Sequence, residues 1–278
     1  MKPAIQKDDE LLADIARARA AGISRLWWLG QSGFLLSTRG GTILFDPYLS
    51  DSLTKKYATT DKPHTRVTER VIAPERLTGI DVITSSHNHT DHLDAETLWP
   101  LLAANPRATL VVPRANRTFV RERLGKIENA LLEIDAGEQM ATAGMEFHGI
   151  PAAHNTVERD ERGHCRFLGY VVRVAGITIY HSGDTLRHDG LVATLTPFFR
   201  PDVALLPING HKPERRVAGN LDGREAAQLA KEIKAGMVIP HHFDMFEFNT
   251  ATPLDFENEC RRLGQKFCSL RNGEGIDL

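Results

Sequence analysis

Leu11, Leu12 and Ile15 recur at helical spacing inside a polar stretch that begins at Asp8 and ends at Gly22. A helix follows, capped by Asp8 or Asp9 and stopped where glycine can take the left-handed conformation. From Ser24 to Pro47 the pattern changes to short β-rich runs broken by glycine, and Arg39–Gly41 marks a hairpin. The adjacent Trp27 and Trp28 are expected in the core, on one face. Residues 48–79 are polar and weakly periodic, as a loop flanking a site would be. Val82 and Ile83 begin a buried strand; residues 95–104 read as a helix, 109–113 as a strand and 117–125 as a helix. The second half repeats the texture, with strands at 145–154, 168–176, 177–184 and 202–208 and a hairpin at Ala175–Gly176. A helix runs from an Asp222 cap to Gly236, and a strand covers 237–240. Strands alternating with helices, with no repeat period and no composition break, predict one layered α/β domain over 1–278 whose N-terminal helix, within 1–22, is peripheral.

Composition narrows the partners. The chain has 34 basic and 36 acidic residues, a formal charge of −2, so no basic field draws nucleic acid. Three cysteines without a CxxC pair argue against both a disulfide framework and a thiolate zinc site. The first 22 residues lack the apolar stretch of a signal peptide, and no apolar run reaches membrane-spanning length. The expectation is a cytoplasmic protein with no nucleic-acid or membrane partner, and a homo-oligomer is left open.

The chemistry concentrates in Ser86–Asp94, SHNHTDHLD. His87 and His89 stand two apart and point the same way in an extended segment, while Asp91 and His92 occupy the turn into the next helix. Further candidates end predicted strands: His154, Asp184, and the adjacent His241 and His242. Imidazole and carboxylate without thiolate suit an open catalytic centre for Zn²⁺, Mn²⁺ or Fe²⁺. His181, three residues before Asp184, is expected beside the ligands rather than among them. His64, His148, His164, His188 and His211 lack such company and read as surface or hydrogen-bonded histidines.

SHNHTDHLD with His154, the SGDT run at 182–185 and PHHFDMF at 240–246 resembles the metallo-β-lactamase fold hydrolases, over nearly the whole chain after residue 23. LGQSGFLL, ILFDPYLSD, LLPING and VIPHHFDMFEFN resemble the branch that contains L-ascorbate-6-phosphate lactonase. The resemblance implies an αββα sandwich, two mixed β-sheets face to face and flanked by helices, with two divalent ions, Zn²⁺ or Mn²⁺, at one edge. His87, His89 and His154 would hold one ion; Asp91, His92 and His242 the other; Asp184 would bridge. His242 is chosen over His241 because the family pattern sets the ligand before an aromatic residue, here Phe243, and the choice between them stays open.

Such a centre lowers the pKa of a bridging water roughly from 16 towards 7 and polarises the substrate oxygen, and Asp91 is the nearest proton carrier for the leaving oxygen. After LLPING the chain concentrates Asn209, His211, Lys212, Arg215 and Arg216. Asn209, His211, Arg215 and Arg216 are the candidates to bind an anionic substrate, and residues 155–166 could form a second wall or lid. The expected activity is hydrolysis of a small anionic ester, a sugar-derived or phosphorylated lactone. A phosphodiesterase of the N-acyl-phosphatidylethanolamine phospholipase D type and a non-catalytic metal-binding module are the alternatives.

Overall fold

A computed structural model describes residues 1–196 and 199–278. In chain order its strands are β1 (Arg25–Gly30), β2 (Gly33–Thr38), β3 (Gly41–Phe45), β4 (Val82–Thr84), β5 (Thr109–Pro113), β6 (Ala130–Ile134) and β7 (Gln139–Thr142). They continue as β8 (Met145–Pro151), β9 (Leu168–Val174), β10 (Ile177–His181), β11 (Val203–Pro207), β12 (Met237–His241) and β13 (Gly275–Asp277). Among the described residues one sheet has the order β13-β1-β2-β3-β4-β5-β6 and the other β12-β11-β10-β9-β8-β7. Both are mixed. β1, β2 and β3 pair antiparallel and β3 to β6 parallel, while β7 to β10 pair antiparallel and β10 to β12 parallel.

Between the sheets lies one apolar layer, built from Trp28, Phe34, Phe45, Val82, Phe147, Tyr170, Ile179 and Leu205 among others. The outer face of the first sheet is covered by the helices α1 (Asp8–Ala21), α3 (Ala95–Ala104) and α4 (Arg117–Leu124), burying Trp27, Leu35, Leu44, Leu98 and Leu110. Trp27 and Trp28 therefore serve opposite faces, against the expectation of one. Side chains alternate along a strand, so neighbours cannot share a face.

Local cues act as read in most places. The helix read over 95–104 forms, with Asp94, unmarked in the pattern, capping it by accepting from the Thr97 amide at 3.0 Å. Asp222 and Glu225 form a reciprocal capping box on α6 (Gly223–Glu232). Two cues do not. Lys7, not an aspartate, stands at the N-cap of α1. α6 ends at Glu232, before Gly236, because Lys234 already takes a left-handed φ of 58°. The 48–79 stretch holds α2 (Ser52–Tyr57) and a 3₁₀ turn at Pro74–Arg76. α5 (Leu191–Leu195), α7 (Leu254–Leu263), β6, β7 and β13 lie outside the predicted elements. No helix of the described residues is long and apolar enough to cross a membrane.

Candidate metal centre

The parallel strands of both sheets end at the same edge. β4 delivers the 85–94 loop, β8 runs on to His154, β10 to Asp184 and β12 to His242. Three groups of side chains meet there with potential ligand atoms within 4.8 Å of one another: His87, His89 and His154; Asp91, His92 and His242; and His87, His92 and Asp184. Asp184 stands between the first two groups. One of its oxygens is 3.4 Å from His154 Nε2 and 3.2 Å from His242 Nε2, and the other is 3.4 Å from His92 Nε2.

Neighbours decide which ring nitrogen faces the centre. His154 donates from Nδ1 to the Gly219 carbonyl at 2.8 Å, which leaves Nε2 as a lone pair. His87 Nδ1 meets Ser86 Oγ at 3.0 Å, and His92 Nδ1 meets Asp46 Oδ2 at 2.7 Å. The Nε2 atoms of His87 and His92 and Oδ1 of Asp184 are buried with no hydrogen-bond partner. Buried polar atoms are almost always paired, so three orphans converging on one point are what a cation would satisfy. The donor set, imidazole and carboxylate, fits a divalent ion.

His181 and His241 stand outside the three groups, although His241 Nε2 is also buried without a hydrogen-bond partner. His181 donates from Nε2 to the Ser32 carbonyl at 2.9 Å and accepts the Gly183 amide at Nδ1 at 3.2 Å, so neither nitrogen is left for a metal. Its ring stacks on His241, with centroids 5.1 Å apart, and His241 Nδ1 meets Ser32 Oγ at 3.1 Å. His242, one residue on, turns into the centre with a left-handed φ of 60°. Gln31 and Asp46 share that conformation, at φ 49° and 37°. Three non-glycine residues in this region around the centre are strain of the kind that collects at functional sites.

Asp46 and Gln31 were not singled out from sequence. Asp46 is fully buried and receives Thr84 Oγ1 at 2.8 Å, the Ser86 amide at 3.1 Å, Ser86 Oγ, and His92. It follows a buried strand, as His154, Asp184 and His242 do, and that shared position was the available signal.

Charge divides the centre into two halves. Burial holds His87 well below the ordinary imidazole value and lowers His154, and burial with the nearby His154 pushes His89 down to about 4. Burial also opposes charge on His92 and His242. There the carboxylates of Asp184 and Asp91 outweigh it, raising His92 well above its usual range and His242 to about 9. The same pairing overcomes burial at Asp91 and Asp184, holding both well below the carboxylate range.

Above the centre opens a cavity of about 480 Å³, with Lys56, Lys62, Arg123 and Arg216 on its wall beside Tyr57, His64, Phe119 and Phe246. Of the four substrate candidates only Arg216 lines it. Asn209, His211 and Arg215 line a neighbouring surface cavity instead. Arg215 is held there by the Asn209 carbonyl at 2.7 Å, the Thr250 carbonyl at 2.8 Å and Asn249 Oδ1 at 3.2 Å, while Asn209 donates to Asn249 at 3.0 Å. The left-handed φ of 52° at Arg216 turns the two neighbouring arginines apart. Residues 155–166 fold onto themselves through an Arg159–Cys165 bridge, and among the described residues none of them lines the cavity, against the lid expectation. His64, read as an isolated histidine, does line it, with Nδ1 on the Lys62 carbonyl at 2.8 Å.

Two mixed sheets between helices, with histidines and aspartates gathered at one sheet edge, define a metallo-β-lactamase fold hydrolase. The Beta-lactamase superfamily domain matches residues 25–242. A UPF0173 metal-dependent hydrolase of Rubrobacter xylanophilus is 31% identical over 252 residues, covering 87% of this chain and 91% of that protein. The chain belongs to this superfamily and, within it, to the UPF0173 metal-dependent hydrolases. The metallo hydrolase Igni18 of Ignicoccus hospitalis has a similar fold, with TM-score 0.67 at 20% identity over 92% of this chain and 98% of that one. So has an isothiocyanate hydrolase from Delia radicum gut bacteria, with TM-score 0.70 at 16% identity over 91% and 98%.

Proposed function

We propose that this metal-dependent hydrolase carries two divalent ions, zinc or manganese, and opens a small anionic ester, with a sugar-derived or phosphorylated lactone as the preferred substrate. The carrying observation is the set of orphaned buried atoms, His87 Nε2, His92 Nε2 and Asp184 Oδ1, beneath a cavity walled by four cationic side chains. His87, His89 and His154 would hold one ion and Asp91, His92 and His242 the other, with Asp184 reaching both. When bound, the ions supply a nucleophilic hydroxide at neutral pH and a Lewis-acid contact for the substrate oxygen. Asp91 starts ionised, since the neighbouring imidazoles outweigh the effect of burial. It can therefore accept the one proton that the hydroxide still carries after attack and pass it to the leaving oxygen.

The anionic part of the substrate is the business of the wall. Lys56 reaches Thr90 Oγ1 at 3.2 Å, Lys62 the Arg216 carbonyl at 2.5 Å, and Arg123 the carbonyls of Asn88 and Leu93 at 2.8 Å. Three of the four cations thus meet neutral oxygens and keep their charge for a ligand; Arg216 pairs with Asp61 at the surface. The volume, about 480 Å³, suits a small molecule. The test is a screen of metal-reconstituted protein against lactones and phosphodiesters, each with and without a phosphate group. Turnover of phosphorylated lactones above their neutral counterparts supports the reading. Preference for phosphodiesters would replace it by the phosphodiesterase, and no turnover of any ester by the metal-binding module.

A further inference from the structure

Gln31 sits in the tight turn between β1 and β2, where the strand register shifts between Trp28 and Gly30. Its backbone is held from two sides: its carbonyl accepts from Trp28 Nε1 at 3.0 Å and from the His242 amide at 3.0 Å. The second bond ties the first sheet to the chain leaving β12, across the edge where the centre lies. Gly30, with φ 96°, permits this approach, because a Cβ there would stand 2.4 Å from Met245 Cε. The residue is 3% exposed and takes φ 49°, so the fold holds a glutamine in a costly conformation beside the centre.

The side chain shows what that conformation serves. Gln31 Nε2 donates to Asp91 Oδ2 at 2.9 Å, the oxygen that also faces His242 Nε2 at 3.4 Å and His92 Nε2 at 3.7 Å. The same Nε2 is 3.0 Å from His242 Nε2 and 3.3 Å from His242 Nδ1. The in-plane lone pairs of those two nitrogens diverge, and the carbon between them blocks an in-plane approach to both. The amide therefore lies over the ring face rather than in line with either nitrogen. The in-plane position at His242 Nε2 stays clear of the amide. One neutral amide thus restrains two of the three side chains in the Asp91, His92 and His242 group without adding charge or taking a ligand orbital. No hydrogen bond joins it to His87, His89 or His154 among the described residues.

We infer that Gln31 is a positioning residue for one metal site only, the one formed by Asp91, His92 and His242. This rests on the two-metal reading above. A partner of this kind that orients ligands without binding the ion changes metal affinity by about 10- to 100-fold when removed. The experiment is a Co²⁺ titration of the metal-stripped full chain against a competing chromophoric chelator, on wild type, Gln31→Leu and Gln31→Asn. Visible absorption of the bound cobalt and thermal melting are followed alongside. Wild type should take up two ions. Gln31→Leu should hold the first with unchanged affinity and bind the second about 10- to 100-fold more weakly. Gln31→Asn, whose amide falls one methylene short, should lie between them. Two unchanged affinities in Gln31→Leu overturn the inference and leave the two-metal reading standing. A single ion in wild type overturns both. Equal weakening of both sites together with a lowered melting temperature assigns Gln31 to the fold and overturns the positioning role.

Discussion

Asp46→Asn is the sharpest perturbation of the centre, because it changes one buried oxygen and leaves the shape alone. Asp46 Oδ2 takes His92 Nδ1 at 2.7 Å together with Ser86 Oγ, while Oδ1 takes Thr84 Oγ1 at 2.8 Å and the Ser86 amide at 3.1 Å. An asparagine has one acceptor oxygen and must turn its NH₂ to one side. Turned towards His92, it forces the proton to Nε2 and blocks the nitrogen that faces Asp184 at 3.4 Å. Turned away, it opposes two donors with a donor and leaves buried groups unpaired. Either way His92 is less well held. Loss of a partner that orients a ligand histidine costs about 10- to 100-fold in metal affinity, roughly 1.4 to 2.7 kcal/mol. The loss should fall mainly on the site containing His92 and less on the site of His87, His89 and His154, which Asp46 reaches only through Ser86 Oγ. Chelator competition measures both affinities, and circular dichroism melting checks that the β4 end survives. Unchanged affinity at the His92 site, or an equal loss at both, would refute the claim that Asp46 acts through His92.

If the chain holds two ions as proposed, proton release should separate the two sites. His92 and His242 are raised by their carboxylates, His242 to about 9, so they hold protons at neutral pH until an ion displaces them; His89, near 4, and the lowered His87 and His154 are already neutral. Filling one site should release almost no protons and filling the other roughly two, with affinity there rising up to about pH 9; calorimetry in buffers of different ionisation heat reads the difference, and equal release refutes it. Gly183→Ala should disrupt the centre, since a Cβ at φ 60° would stand 2.7 Å from Ser86 Cβ and 2.8 Å from the Leu168 carbonyl; lowered metal content and melting temperature check it, and normal values would dispose of it. Lys56→Ala should raise KM for an anionic ester and spare a small neutral one, because Lys56 on the cavity wall meets a neutral oxygen, Thr90 Oγ1 at 3.2 Å, whereas Arg215→Ala should lower the melting temperature and leave KM alone; the reverse order would restore Arg215 as the anion contact.

The chemistry of the centre was legible because it is local. His87, His89, Asp91 and His92 lie in one short loop after an apolar strand, and His154, Asp184 and His242 each follow another. A chain that ends several buried strands in ligand-type residues points to a metal site before any contact is known, although the meeting there of strand ends from two different sheets is a property of the fold. Local signals also set α3 and α6, through caps that act within a few residues. The rest depended on contacts between segments far apart. Nothing near Asp46 announces that it holds His92, 46 residues on. Nothing near Gln31 announces Asp91, or His242, 211 residues on. His241 and His242 are chemically alike, and a single left-handed φ at His242 together with the Ser32 and His181 contacts of its neighbour separates them. Arg215 and Arg216 are likewise equal as a pair of charges, until the turn at Arg216 sends one to backbone carbonyls and the other to the cavity. Residue type and short-range spacing determine what a side chain can bind. Which way it points is a property of the closed fold, because only long-range packing and hydrogen bonds can offset the cost of holding Gln31, Asp46 and His242 in left-handed backbone.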